Sequence, residues 1–178
     1  LLSSTSYLAN AQIVKKTSFP RFVLPLSNIL MESIHFLITI PVIILFLYIY
    51  SITPNYLAIL LYTPVIMLFQ IGFTFGLGLV FSSLNVFFRD IERLLSIVML
   101  LWFYVTPIIY SIDLIPKEIV SYMRLNPILP FIESWRELFL NGEISTQYLI
   151  PMLINSGISL VLGSLFYFKL KDKFSEVL

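Results

Sequence analysis

The chain has 178 residues, of which 58% are apolar, 16% aromatic and 12% charged. An average soluble domain carries about 25% charged residues, so this composition excludes an ordinary globular protein and predicts a lipid environment. Eleven Lys and Arg against ten Asp and Glu give a net charge of +1, which argues against nucleic acid as a partner. The absence of cysteine excludes disulfides and thiolate metal sites.

Four uncharged runs are long and apolar enough to cross a hydrocarbon layer of about 30 Å, for which a helix needs about 20 residues. They cover residues 34–50, 57–81, 94–110 and 149–168. Because these runs are apolar on all sides, we expect an all-α polytopic transmembrane helix bundle, organised as one domain over residues 1–178. Pro41, Pro64 and Pro107 lie inside the runs, and we expect each to kink its helix.

The basic residues between the runs predict the orientation. Eight of the eleven Lys and Arg lie in residues 1–33, 82–93 and 169–178, and the other three lie in residues 111–148. Basic segments stay on the cytoplasmic side, so we expect a multi-pass protein with both ends of this chain in the cytoplasm.

The outer segment, residues 111–148, contains two short amphipathic stretches. One opens at Pro116, and the other runs from Phe131 to Leu140 and stops at Asn141-Gly142. Asn126-Pro127 and Pro130 prevent one continuous helix. Both re-entrant half-helices and helices lying on the outer surface fit this pattern.

Small residues recur four apart at Gly72 and Gly76 and again at Ser159 and Gly163. Such faces let helices approach closely, and we favour contact within the chain over contact between subunits. Glu32 and His35 lie one helical turn apart, where capping of the helix is a stronger expectation than a proton relay.

Few residues of the chain could take part in metal binding, catalysis or nucleotide binding. One histidine and no cysteine leave no metal cluster or catalytic triad, and without a Gly-x-x-x-x-Gly-Lys-Ser/Thr loop the chain has no P-loop for ATP. We expect Phe103, Thr106 and Tyr110 to share one helix face, with Trp102 and Tyr104 beside it. This face is either a sugar-contacting lining or an interfacial aromatic belt. Pro107 is either the bend of a gate or a structural kink.

Four stretches follow one another in a recognisable order. They are Asn10-Ala-x-Ile-Val-Lys15-Lys16-x-x-Phe19-Pro20-Arg21-x-x-Leu-Pro-Leu26, Leu84-Asn-Val-Phe-Phe-Arg89-Asp90-Ile, Thr106-Pro107-Ile-Ile-Tyr110, and Asn126-Pro127. Together they resemble the permeases of ABC-2 type exporters of O-antigen, capsule and teichoic acid. Family permeases have six spans, so we expect this chain, which begins at Leu1, to lack its natural N-terminus, with the first span and most of the second. Leu1–Leu8 would be the tail of that second span.

The resemblance implies a homodimeric permease in a bacterial or archaeal cytoplasmic membrane, engaged by a separate ABC ATPase. It would export a lipid-linked polysaccharide or polyol-phosphate polymer. The chain itself would be no enzyme and bind no cofactor, because ATP and Mg²⁺ would sit on the ATPase. The residues that the resemblance assigns to ATPase coupling are Asn10, Lys15, Lys16, Phe19, Pro20, Arg21, Arg89 and Asp90. Those of the substrate pathway are Phe103, Tyr104, Thr106 and Tyr110, and those of an outer gate are Pro107, Asn126 and Pro127.

Three other functions fit parts of the sequence. An ABC-2 permease for a drug or lipid would share the fold, and a membrane scaffold protein would have no ATPase partner. A membrane-embedded glycosyltransferase or lipid-processing enzyme would need an acid or base near the lipid, such as Asp113, Glu118 or Glu133. Nothing in the sequence pairs these carboxylates, so we rank the enzyme last.

Overall fold

The computed structural model describes residues 2–10, 12, 19–88, 90–110 and 112–174. Over these residues it contains α-helices and two short 3₁₀ turns, Ile112–Leu114 and Lys171–Lys173, and no strand, which confirms the expected all-α class. The helices are α1 (Ser6–Ala9), α2 (Val23–Ile49), α3 (Tyr56–Phe87), α4 (Ile91–Val105), α5 (Lys117–Met123), α6 (Leu129–Asn141) and α7 (Thr146–Leu170).

Three of the described helices are long and apolar enough to cross a membrane, namely α2, α3 and α7. They have 27, 32 and 25 residues, so at about 1.5 Å per residue each exceeds a hydrocarbon layer of about 30 Å. Helix α2 begins at Val23, well before the expected span at residue 34, because neither Glu32 nor Pro25 interrupts it. Pro25 is tolerated because it occupies the first turn, where its missing N–H would have no helical partner.

Helix α4 is shorter than its apolar run. It has 15 residues, about 22 Å of helix, and ends at Val105, whereas residues 94–110 were expected to form one kinked span. Pro107 therefore ends the helix instead of bending it. Proline has no N–H to donate and disfavours a helical conformation in the residue before it, here Thr106. The expectation that Tyr110 lies on this helix is wrong for the same reason.

The outer segment forms the two expected short helices. Helix α5 follows Pro116 directly, and α6 begins after the Asn126-Pro127 break. Gly142 ends α6 in the left-handed conformation, with φ 70°, which favours glycine.

By its internal contacts the chain divides into two compact units. The first comprises Leu1–His35, Ile71–Val98 and Ser156–Leu178, and the second comprises Phe36–Gln70 and Met99–Asn155. The core of the first unit is built from Tyr7, Leu79, Val86, Tyr167 and Phe174.

The small residues of α3 and α7 pack against each other within the first unit. A Cβ atom placed on Gly76 would overlap the backbone of Ser159, and one placed on Gly163 would overlap the backbone of Gly76. The Ser159 hydroxyl donates to the Phe73 carbonyl at 2.7 Å. Both motifs therefore serve the contact within the chain, as expected, and Gly76 and Gly163 are required for it.

In the second unit, α6 buries its apolar face. The Trp135 ring stacks on Phe139 with centroids 5.5 Å apart and lies 4.8 Å from the Phe36 ring. Its indole N–H donates to Gln70 Oε1 at 2.8 Å, so the polar end of the buried ring is paired.

Candidate functional site

The end of α4 is held by a hydrogen-bond network centred on Asn126. The Trp102 indole N–H donates to Asn126 Oδ1 at 3.0 Å, and Asn126 Nδ2 donates to Thr106 Oγ1 at 2.8 Å. Trp102 lies in the last turn of α4 and Thr106 directly follows the helix, where its N–H donates to the Trp102 carbonyl at 2.9 Å. Asn126 Oδ1 also accepts from the Ile128 N–H at 3.1 Å, which fixes the break before α6. A single amide thus joins the last turn of α4 to the start of α6.

Arg136 of α6 holds the turn that follows α4, residues 106–110, which we call the outer turn. Its guanidinium donates to the carbonyls of Pro107 at 2.7 Å and of Ile108 and Tyr110 at 3.3 Å. The same guanidinium forms an ion pair with Glu133, whose side chain is about 5% exposed. The end of a helix leaves several backbone carbonyls without a helical partner. The planar guanidinium of arginine carries several N–H donors in a fixed geometry, so one arginine can bind several of these carbonyls at once.

Three of the predicted gate residues come together around this turn. Pro107 is fully buried, and Asn126 contacts Thr106 directly. The Pro127 carbonyl accepts from Asn155 Nδ2 of α7 at 3.1 Å. The outer turn and the α5–α6 connection are therefore tied to one another and to α7 within the second unit.

The predicted pathway residues do not form one face. Thr106 is 1% exposed and donates its hydroxyl hydrogen to the Trp102 carbonyl at 2.8 Å, so it supports the turn from inside. Phe103 and Tyr104 are 40% and 64% exposed, with their rings edge to face at 5.6 Å. The Tyr110 hydroxyl donates back to the carbonyls of Tyr104 and Val105, each at 3.3 Å. Phe103 and Tyr104 thus present open ring faces beside a turn whose backbone is fixed.

The predicted coupling residues are spread over the first unit. Lys15, Lys16 and Arg89 lie outside the described residues. Asn10 Nδ2 donates to the Ser6 carbonyl at 2.9 Å at the end of α1. Asp90 is exposed just before α4, and its carbonyl accepts from the Leu94 N–H at 3.1 Å.

The other predicted coupling residues, Phe19, Pro20 and Arg21, line an open groove of about 350 Å³. The remaining lining residues are Phe22, Tyr167, Phe168, Lys171 and Asp172. The groove thus combines aromatic surface with both signs of charge. Neither Asn10 nor Asp90 is among its lining residues.

The sequence analysis did not select two residues that prove structurally important, Arg136 at the outer turn and Phe174 after α7. Arg136 lies one helical turn after Glu133, a spacing typical of an ion pair, and this signal could have drawn attention to it. Phe174 follows the charged run Lys171-Asp172-Lys173 and is nevertheless fully buried. An isolated aromatic residue directly after a charged run was the only signal available for it.

The described residues contain no group of three or more His, Cys, Asp or Glu side chains that could hold a metal ion. The polar contacts at the outer turn join amide, hydroxyl, indole, guanidinium and carbonyl groups. Their arrangement fixes the backbone geometry of the turn.

The architecture defines a multi-pass helical membrane protein. Residues 12–140 match the family model described as ABC-2 type transporter, and the chain therefore belongs to the ABC-2 type transporter family of permeases. This finding confirms the resemblance stated from the four motifs.

Several curated relatives are similar to the chain. The O-antigen export system permease protein RfbA of Klebsiella pneumoniae is 48% identical over 173 residues, which cover 97% of this chain and 66% of the relative. The protein of the same name from Myxococcus xanthus is 27% identical over 92% of this chain and 64% of the relative. The polysialic acid transport protein KpsM of Escherichia coli is 30% identical over 70 residues, 39% of this chain and 27% of the relative. The chain thus spans just under two thirds of the RfbA relatives' length.

Proposed function

We propose that this chain is the permease subunit of an ATP-driven ABC exporter that moves a lipid-linked polysaccharide out across the cytoplasmic membrane. The observation that carries the proposal is the 48% identity to an O-antigen export permease along 97% of the chain. The relatives named for O-antigen export favour that class of glycan over a polyol-phosphate polymer.

The proposed topology has four crossings in one permease domain, with both ends of the chain in the cytoplasm. Helices α2, α3 and α7 supply three crossings by length and composition. The fourth is α4 together with the outer turn, where the carbonyls of Pro107, Ile108 and Tyr110 accept from Arg136 and so need no water. Helices α5 and α6 then form the outer segment as re-entrant or interfacial helices, and eight of the eleven basic residues fall on the cytoplasmic side.

ATP and Mg²⁺ act on a separate ABC ATPase, which engages the segment Asn10–Arg21, called the coupling segment below. Phe19 and Pro20 supply apolar surface and Arg21 supplies charge at the groove, a combination suited to a protein interface. Lys15, Lys16, Arg89 and Asp90 add charge on the same proposed cytoplasmic side. The chain itself contributes no catalytic group.

The glycan leaves along a path shared with a second copy of the permease. Phe103 and Tyr104 are the residues whose exposed rings suit sliding contact with sugar rings. Thr106 and Tyr110 act on this path indirectly, by fixing the outer turn. Pro107, Asn126 and Pro127 belong to the gate that the turn and the α5–α6 connection form at the exit.

Purification of the full permease in mild detergent, with mass spectrometry of the co-purifying proteins, tests the assignment. We expect a P-loop ATPase in stoichiometric amount. Reversing the charges of Lys15 and Lys16 should release it, because both would face the ATPase. Reversing Lys117 and Arg124 in the outer segment is the matched control and should leave the ATPase bound.

Two outcomes would contradict the proposal. A folded, dimeric permease without any bound ATPase would favour the scaffold function. Equal loss of the ATPase from both reversed variants would show that the coupling segment is not the contact.

A further inference from the structure

The tail after α7 is the most unexpected part of the first unit. Its sequence, Lys171-Asp172-Lys173-Phe174, is typical of an exposed polar end, yet Phe174 is fully buried. Its ring centroid lies 5.0 Å from that of Tyr7, 6.2 Å from that of Phe87 and 6.5 Å from that of Tyr167. Phe174 therefore anchors the tail in the aromatic core of the unit.

The coupling segment is joined to this tail by Arg21. Its guanidinium donates to the Lys171 carbonyl and lies 6.0 Å from the centre of the Phe174 ring. An arginine at this distance from an aromatic face is attracted to the ring as well as to the carbonyl. Next to it, the Phe22 ring meets the Tyr167 ring edge-on at 6.2 Å. The consecutive residues Arg21 and Phe22 thus both contact the end of α7, Arg21 through its guanidinium and Phe22 through its ring.

Helix α7 has little freedom to move independently of α3. Gly163 and Ser159 lie against Gly76 with backbone in direct contact, and the Ser159 hydroxyl bonds the Phe73 carbonyl at 2.7 Å. Close-packed backbones leave no side chains that could change rotamer and absorb a displacement. A shift of the end of α7 is therefore passed on to α3 as well.

We propose that Arg21 and Phe174 are positioning residues that clamp the coupling segment to the end of α7, so that a displacement of the segment moves α7 and α3 with it. The proposal rests on the proposed function, in which an ATPase moves the coupling segment. The coupling segment is already connected to α2 through the backbone, because it leads into that helix at Val23. The clamp adds a second, non-covalent connection, from the segment to α7.

The first test replaces the anchor in the complete permease–ATPase complex. Phe174→Leu keeps apolar volume but removes the ring, and Phe174→Tyr keeps the ring. We expect Phe174→Leu to keep bound ATPase and ATP hydrolysis within twofold of wild type while export per ATP hydrolysed falls at least fivefold. Phe174→Tyr should restore export to within twofold, and Phe166→Leu, at an exposed aromatic residue of α7, should have no effect.

The second test locks the clamp and does not depend on losing a side chain. These 178 residues contain no cysteine, so Phe22→Cys and Tyr167→Cys form the only cysteine pair within them, and a short thiol cross-linker can join the two. Because the clamp moves as one body, we expect the cross-linked permease to export at least half as fast as wild type. The same variant without cross-linker should export several-fold more slowly.

The outcomes separate the clamp from the proposed function. If the wild-type complex exports and Phe174→Leu exports equally well per ATP, or if cross-linking stops export, the clamp is refuted and the function stands. If the wild-type permease binds no ATPase and exports no glycan, the proposed function itself fails.

Discussion

Asn126→Ala removes the centre of the network that holds the outer turn. The Asn126 side chain makes hydrogen bonds with Trp102 at 3.0 Å, with Thr106 at 2.8 Å and with the Ile128 N–H at 3.1 Å. A side-chain hydrogen bond in a membrane protein contributes about 0.6 kcal/mol on average, and one in a soluble protein about 1 kcal/mol. Three bonds therefore amount to about 2–3 kcal/mol of folding free energy.

We expect the substitution to lower the melting temperature in detergent by about 5–10 °C, at about 2–4 °C per kcal/mol for a chain of this size. Thermal unfolding followed by fluorescence-detected size exclusion measures it. Trp102→Phe and Thr106→Val each remove fewer bonds and should lower the melting temperature less. Asn141→Ala, at an exposed asparagine of α6, is the matched control and should leave it unchanged.

A double-mutant cycle isolates the bond itself. Trp102→Phe combined with Asn126→Ala should destabilise the protein by about 1 kcal/mol less than the sum of the single changes, because both remove the same hydrogen bond. Additive effects would refute a direct bond between the two side chains. A melting temperature for Asn126→Ala within about 1 °C of wild type would refute the network as a whole.

Two further predictions concern packing and the buried ion pair. Gly76→Ala should cost at least about 3 kcal/mol, because the new methyl group overlaps the Ser159 backbone, whereas Gly157→Ala has open space and should be neutral or stabilise α7 by up to about 1 kcal/mol. Folded yield and melting temperature distinguish the pair, and equal effects would contradict the α3–α7 contact. Arg136→Met should cost about 3–5 kcal/mol because it removes the cation that pairs with buried Glu133, and adding Glu133→Gln should recover at least half of the loss. A double variant no more stable than Arg136→Met would contradict the ion-pair account.

The helical class and three of the long helices were predictable because lipid leaves a helix with apolar side chains on every face. The helix ends were less predictable. Glu32 suggested a helix boundary, but α2 continues through it, because glutamate is a good helix former and does not by itself end a helix. Pro107 ends α4 where a kink was expected, and composition alone does not distinguish the two outcomes.

The outer turn illustrates what motifs reveal and what they omit. Asn126, Thr106 and Pro107 were selected from a resemblance, and Asn126 and Thr106 prove to be hydrogen-bonded to each other. Arg136, which holds three carbonyls of the same turn, was not selected, because those carbonyls carry no sequence signal and only the spacing of Arg136 from Glu133 pointed to it. The burial of Phe174 could not be predicted from the sequence either, because its ring partners Tyr7 and Phe87 are distant along the chain.

Transport in proteoliposomes tests the central claim most directly. The full permease would be reconstituted with its ATPase, and a lipid-linked O-antigen glycan would be supplied on the ATPase side. The account predicts that ATP and Mg²⁺ move the glycan to the opposite side, where it becomes inaccessible to an added glycosidase. A catalytically inactive ATPase should abolish the movement. Intact complexes that hydrolyse ATP while all of the glycan stays accessible would contradict the account.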